Sequence, residues 1–314
     1  MKASLPIPPP LLASRIGGPY ADYRQIGDQQ RAFIESMLPE DWSYEDKTVL
    51  DFGCGTARTL AAFTAEAQTG QFVGCDIHTD SITWANEELS PPFEFFLCGE
   101  SPPLEQPDQR FDLIYAMSVF THITYQWGAW LVELHRVMRP GALAVISVLG
   151  PAMAPQILER DWDERIGMAM VDLDKDWSIG GPSVLLAEWW VREHWGRAFE
   201  VLRFQHADPA DGAGHDLVLL RRREAPVTPA MLADIASDDP RELAAMQWSL
   251  ELLARQHSVL SEDALRLVGP HGALPRDLER PLLALANHRR LAAPLFGAIK
   301  GGYRLWHSLR RQLG

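Results

Sequence analysis

The stretch Val49-Leu50-Asp51-Phe52-Gly53-Cys54-Gly55-Thr56-Ala57-Arg58 constrains the fold of this 314-residue chain more than any other. It reads as a buried strand over Thr48–Phe52, a glycine-hinged turn, and a helix over Arg58–Gln68. Glycine at 53 and 55 removes Cβ where the backbone must bend sharply and let a ligand approach closely. The first N–H groups of a helix that follows such a turn have no partner within the helix and face that ligand. The turn therefore suits a nucleotide-like molecule. It departs from the dinucleotide pattern G-x-G-x-x-G, whose third glycine allows close helix–strand packing, because that position holds Arg58.

Beyond Pro39 the pattern alternates strand and helix, which predicts a mostly parallel sheet. Strands are expected at Thr48–Phe52, Gln71–Asp76, Phe93–Leu97, Phe111–Ala116 and Ala142–Val148, with helices at Arg58–Gln68, Ser81–Leu89 and Gln126–Val137. Arg139-Pro140-Gly141 is a breaker that ends the last helix just before a buried strand. Two late strands, Phe199–Gln205 and Asp216–Leu220, flank the turn-rich stretch 208–214 and are close enough to pair as an antiparallel hairpin. Between them and the fifth strand lies Pro151–Ala198, too long for one crossover helix. Leu185–Trp195 is the expected crossover. The rest, with Trp162, Met168, Met170 and Trp177, reads as an insertion that either shapes a pocket or covers the sheet.

Hydrophobic content of 46% and eleven Trp predict a sizeable core. A net charge of −13 opposes nucleic-acid binding. Cys54, Cys75 and Cys98 form no C-x-x-C and cannot all pair, so reduced thiols in a cytoplasmic protein are expected. Met1 to Arg15 lacks the apolar run of a signal peptide, and no apolar stretch is long enough to span a membrane.

The chain divides into an arm and lid helix (1–45), a central domain (46–223, with an insertion at 151–184) and a helical C-terminal extension (224–314). The Pro-rich arm ends at Gly17-Gly18-Pro19 and is expected to lie over the domain. In the following helix, Tyr20–Leu38, Tyr20 and Tyr23 share a face that either packs on the core or serves as a lid. In the extension, Leu243, Met246, Leu250, Leu253, His257 and Leu260 recur at helical spacing. They suit packing on the body or a homodimer seam through 240–260. A basic amphipathic stretch at 294–313, with Trp306, Lys300, Arg304, Arg310 and Arg311, suits a membrane surface, a partner or the acidic body of the same chain.

Four features line up with the glycine turn, each at the carboxyl end of an expected strand. Asp76 closes strand two, placed to accept the ribose hydroxyls of a nucleoside. Glu100, in Leu97-Cys98-Gly99-Glu100-Ser101, follows strand three and can accept from an adenine amino group. Strand four runs into Met117-Ser118-Val119-Phe120-Thr121-His122, and Leu134-His135-Arg136-Val137-Met138-Arg139-Pro140-Gly141 precedes strand five. In order, spacing and residue type, these features over Asp46 to Arg221 resemble the class I S-adenosylmethionine (SAM)-dependent methyltransferases. Ser118–His122 and Trp195-Gly196-Arg197-Ala198-Phe199 resemble a bacterial branch acting on small molecules and glycans.

The resemblance implies a Rossmann-like α/β sheet, mostly parallel with its last strand antiparallel, and SAM as the cofactor. It implies that Asp51 and the Gly53-Cys54-Gly55 backbone hold the methionine portion, Asp76 the ribose and Glu100 the adenine, with Ile77 packed on the purine. Ser101 and Ser118 complete the expected cofactor-binding set, and Arg58 would bring a cation near the SAM carboxylate. The expected reaction is methyl transfer to a small molecule or saccharide, most simply at oxygen. The alternative is a non-catalytic SAM-binding component that docks through its basic C-terminal helix. For an oxygen acceptor His122 is the candidate general base, and its other role would be structural. An amine methyltransferase acting on bases would carry an Asn/Asp-Pro-Pro-aromatic turn where Ala116-Met117-Ser118-Val119 stands. A hydrolase would need Gly-x-Ser-x-Gly, which is lacking. Asp172, Asp174 and Asp176 alternate too openly for a cation site, so no metal is expected.

Overall fold

The computed structural model describes residues 5–173, 175, 180–208, 214–235, 239–249, 251 and 252. The arm comes first, with a single helical turn α1 (Pro10–Ala13), a 3-10 turn over Ser14–Ile16 and another over Tyr20–Asp22. Helix α2 (Tyr23–Met37) follows and buries Tyr23, Gly27, Ile34 and Met37 on one side. β1 (Thr48–Phe52) is buried along its whole length, as a central parallel strand must be.

Between β1 and β2 (Gln71–Asp76) the expected helix over Arg58–Gln68 is absent. The segment winds as 3-10 turns over Leu60–Phe63 and Glu66–Gln68. Side chains compete here for the carbonyls that an α-helix would use. The Thr64 hydroxyl donates to Ala61 O at 2.6 Å and the Arg31 guanidinium to Ala62 O at 2.6 Å.

The chain continues through α3 (Thr79–Leu89), β3 (Glu94–Leu97), β4 (Phe111–Ala116), α4 (Trp127–Val137) and β5 (Met138–Val148). Arg139-Pro140-Gly141 lies within β5 as an irregularity, with Gly141 at φ +72° and a register shift against β4 between Phe111 and Leu113. The insertion holds a short turn of helix α5 (Ala154–Ile157) and a small antiparallel pair, β6 (Met168–Val171) with β7 (Ser183–Leu186). Leu185 therefore lies in a strand, and the crossover helix α6 begins later, at Glu188, and ends at His194. β8 (Phe199–Gln205), β9 (Asp216–Arg222) and α7 (Pro229–Leu232) complete the named elements.

The main sheet has the order β3-β2-β1-β4-β5-β9-β8, with β9 antiparallel to both neighbours. The expected hairpin between the late strands is present. Apolar layers cover both faces: Leu50, Phe52, Trp130, Leu134 and Ile146 on one, and Val49, Phe63, Phe72 and Val145 on the other. The carboxyl ends of β1, β2, β3, β4 and β5 all point to one edge, which β9 joins through the pairing of Val148 with Asp216.

The first compact unit runs to Ser249, so α7 and a helix at 240–249 belong to it. Leu232, Ala245 and Trp248 are buried, whereas Leu243 and Met246 are exposed, so this part of the expected stripe faces away from the body. Leu250, the remainder of the 240–260 seam from 253, the 294–313 stretch, Asp174, Asp176 and Trp177 lie outside the described residues. Among the described residues no helix is long and apolar enough to cross a membrane.

Candidate active site

The glycine turn has the backbone its residues permit. Gly53 and Gly55 take φ of +81° and +54°, in the region that side chains disfavour. Their bare Cα atoms are covered by the chain itself. A Cβ at Gly53 would lie 2.4 Å from Val119 Cγ2, and one at Gly55 would lie 2.3 Å from Ile16 Cγ2. The turn thus forms a cradle walled by the β4 loop on one side and the N-terminal arm on the other.

Asp51 sits below the turn and is only 3% exposed. Its Oδ2 is sealed from solvent without a hydrogen-bond partner. Burial first, and the nearby Asp76 charge second, push its carboxyl up to about 8. The Tyr115 hydroxyl on the neighbouring strand favours the ionised form, although the two groups fall short of hydrogen-bond alignment. Burial keeps this carboxyl mostly protonated near pH 7, and a cation placed beside it would draw it to the ionised form.

Asp76 ends β2 and ties the turn together. Its Oδ2 accepts from Gly55 N and its Oδ1 from His78 N, both at 2.8 Å. Each oxygen keeps a second lone pair for another donor. Ile77 and Leu97, 39% and 49% exposed, present apolar surface beside it, and Glu100 and Ser101 are exposed in the loop after β3. Cys54 is buried, and burial pushes its thiol well up, so it contributes backbone rather than a reactive sulfur.

Arg58 is committed to the arm. Its guanidinium donates to Gly17 O at 2.7 Å and Ile16 O at 3.1 Å, and lies over the Tyr23 ring at 5.9 Å. The close packing that a third glycine would allow is supplied from α2 instead. A Cβ at Gly27 would lie 2.5 Å from Arg58 O. The expected lid pair divides its tasks: the buried Tyr23 hydroxyl meets Thr56 O and Oγ1 at 2.9 Å, while the exposed Tyr20 donates to Pro8 O at 3.0 Å.

At the end of β4, Ser118 adopts φ +59°, a strained value for a residue with a side chain. Its N–H donates to Ser147 Oγ at 2.7 Å and its Oγ meets His215 Nδ1 at 3.2 Å. His122 donates through Nδ1 to Pro182 O at 2.7 Å, which leaves the lone pair on Nε2 in the neutral ring. Burial lowers its pKa. The insertion is held against the same loop, since Val184 N donates to Thr121 O at 2.7 Å. His215 escapes a reading of the sequence because a single His before a strand carries no periodic signal. Its weak mark is its place directly after the turn-rich stretch of the sequence, 208–214.

The stretch that carries the glycine turn and the acidic end of β2 has counterparts among known proteins. Residues 49–141 match the family described as a methyltransferase domain. Over that stretch the chain carries a methyltransferase domain. It is 26% identical over 151 residues to a malonyl-[acyl-carrier protein] O-methyltransferase of Marinomonas, covering 46% of this chain and 54% of that protein. It is 29% identical over 160 residues to a bifunctional biotin-biosynthesis protein of Cellvibrio japonicus, covering 49% and 30%. The chain therefore spans about half, or less, of the length of these relatives. A structure of a SAM-dependent methyltransferase from Listeria monocytogenes superposes with a TM-score of 0.48 at 15% identity, covering 64% of this chain and 99% of that one.

Proposed function

We propose that this methyltransferase domain transfers a methyl group to an oxygen of a small-molecule or saccharide acceptor. The observation that carries the cofactor half is the orphaned, buried Oδ2 of Asp51 beneath a cradle built from two glycines. SAM carries an ammonium and a sulfonium group, and a carboxyl that lacks a partner suits a cation. Asp51 and the 53–55 backbone would hold the methionine portion and Asp76 the ribose, through its remaining lone pairs. Ile77 would pack on the purine, with Glu100 and Ser101 at its amino edge and Ser118 closing the far side. Arg58 would act one step back, fixing the arm that walls the cradle. SAM supplies a methyl group already activated by positive sulfur, so the protein's task is alignment and exclusion of water.

For the acceptor, His122 is the residue to take a hydroxyl proton. Its tautomer is fixed by Pro182 and its loop also carries Val119, which rests against Gly53. The Marinomonas relative is named as an O-methyltransferase, which supports the same choice of atom. Calorimetry with SAM and S-adenosylhomocysteine tests the cofactor half, and absence of binding refutes it. For the acceptor half, His122→Ala should lower turnover by about 100-fold with SAM affinity unchanged. Unchanged turnover removes His122 from the chemistry.

A further inference from the structure

His215 lies where the sheet's carboxyl edge meets the β4 loop, and it is anchored on three sides. On one side, a Cβ at Gly214 would lie 2.5 Å from Met153 Sδ. On the other, Asp216 is 1% exposed and accepts from Ala207 N at 2.8 Å and pairs with His206 Nδ1 at 3.0 Å. The ring itself is pinned through Nδ1 to Ser118 Oγ at 3.2 Å.

Ser118 is in turn held by Ser147, whose hydroxyl is fully buried and accepts the Ser118 N–H. β5, the loop after β4 and the residue before β9 thus contribute one residue each to a Ser147–Ser118–His215 chain. Holding Ser118 at φ +59° strains the backbone, and such strain gathers at functional sites. The next residue, Val119, covers Gly53, so the chain ends one residue from the glycine turn.

The other ring nitrogen of His215 points to a use. Nε2 makes no hydrogen bond to a described residue, and it is not among the sealed, unpartnered polar atoms. His122 is close enough for its charge to oppose one on His215. Burial, with that neighbour, holds His215 down to about 4, so the ring is neutral near pH 7 and serves as a hydrogen-bonding group rather than a charge.

We propose that His215 is a second acceptor-site residue, which contacts the acceptor oxygen through Nε2 while Ser118 and Ser147 fix the ring. This rests on the oxygen-methyltransfer reading above. His122 is left to take the proton, and His215 to fix where the oxygen sits. Positioning of this kind governs methyl transfer, because the reacting atoms must be aligned before the bond can form.

The test exploits two amides that each mimic one ring nitrogen. His215→Asn preserves a group near Nδ1, toward Ser118. His215→Gln places one near Nε2, toward the acceptor. The full chain is incubated with methyl-labelled SAM and, as probe, a heat-treated small-molecule extract of bacterial cells, with SAM affinity measured in parallel. His215→Ala and His215→Asn should each lose about 30-fold in methyl incorporation, His215→Gln should stay within about threefold, and SAM affinity should hold in all. The reverse order, with Asn active and Gln not, means that His215 only props Ser118 and overturns the proposal. Full activity in all three also overturns it. Should the Ala variant not fold, the Asn and Gln pair decides alone. A wild-type protein that binds SAM but labels nothing refutes the transfer reading, and the role of His215 with it.

Discussion

Ile16 of the N-terminal arm rests on Gly55 of the glycine turn, so closely that a Cβ there would lie 2.3 Å from Ile16 Cγ2. The contact makes the arm part of the site wall. Gly55→Ala would put a side chain at φ +54° and push Ile16 away. The expected result is a loss of about 1–2 kcal/mol in stability by chemical denaturation. Faster proteolysis at Gly17-Gly18 should accompany it, since the carbonyls held by Arg58 lie there. An arm as protease-resistant as in the wild type would show that the contact does not hold it.

Asp76 joins the turn to β2 by accepting from Gly55 N and His78 N. Asp76→Ala would leave both donors unpaired and, on the proposed reading, remove the ribose contact. SAM affinity should fall by about 1.5–3 kcal/mol by calorimetry. An unchanged affinity would remove Asp76 from the cofactor site.

The sheet was legible because its strands are continuous apolar runs of strand length between glycine and proline breakers. β1, β4 and β8 span the expected residues, and β2 does also. The helix over Arg58–Gln68 was misjudged because apolar spacing says nothing about side chains that capture carbonyls, as Arg31 does from another element. Gly27 and His215 were missed for a related reason. Each acts across a long sequence separation, Gly27 against Arg58 and His215 against Ser118, and no local pattern encodes the meeting. The 240–249 helix shows the limit of periodicity from the other side. Its Leu243 and Met246 are exposed, while the polar Glu242 is buried with Oε1 3.0 Å from His194 Nε2.

On the proposed reading, Asp51 makes SAM binding sensitive to pH. Its folded pKa of about 8 lies above the ordinary value of 3.8, so its contribution to stability is fully present below that ordinary value and is lost as pH rises through 8. Asp51→Asn should therefore gain stability relative to the wild type between these limits, by at most about 1.4 kcal/mol per pH unit. A cationic ligand favours the ionised carboxylate, so SAM binding near pH 7 should release a proton. Calorimetry in buffers of different ionisation heat measures that release directly. Asp51→Asn should abolish it, and equal release from both proteins would place the titrating group elsewhere.

His194 sets a second pH limit, at the packing of the 240–249 helix. Its Nδ1 donates to Leu232 O at 2.7 Å and its Nε2 lies 3.0 Å from Glu242 Oε1, with both side chains buried. The approach to Glu242 has the distance of an ion pair without the alignment of a hydrogen bond, so the two atoms count as unpartnered by geometry. The ring stacks on Trp190 at 4.3 Å and meets the edge of Trp127. Burial, opposed by Glu242 and assisted by Arg197, leaves the pKa lowered. A His lowered by folding contributes stability that is present above its unfolded value, about 6.5, and is lost as pH falls through the folded one. The protection factors of residues 240–249, corrected for the intrinsic exchange rate, should accordingly fall as pH drops below about 6.5, ahead of those of β1 and β4. His194→Gln retains a polar side chain that cannot charge, so it should flatten this dependence. If the variant keeps the wild-type pH profile, another group controls how the helix is held.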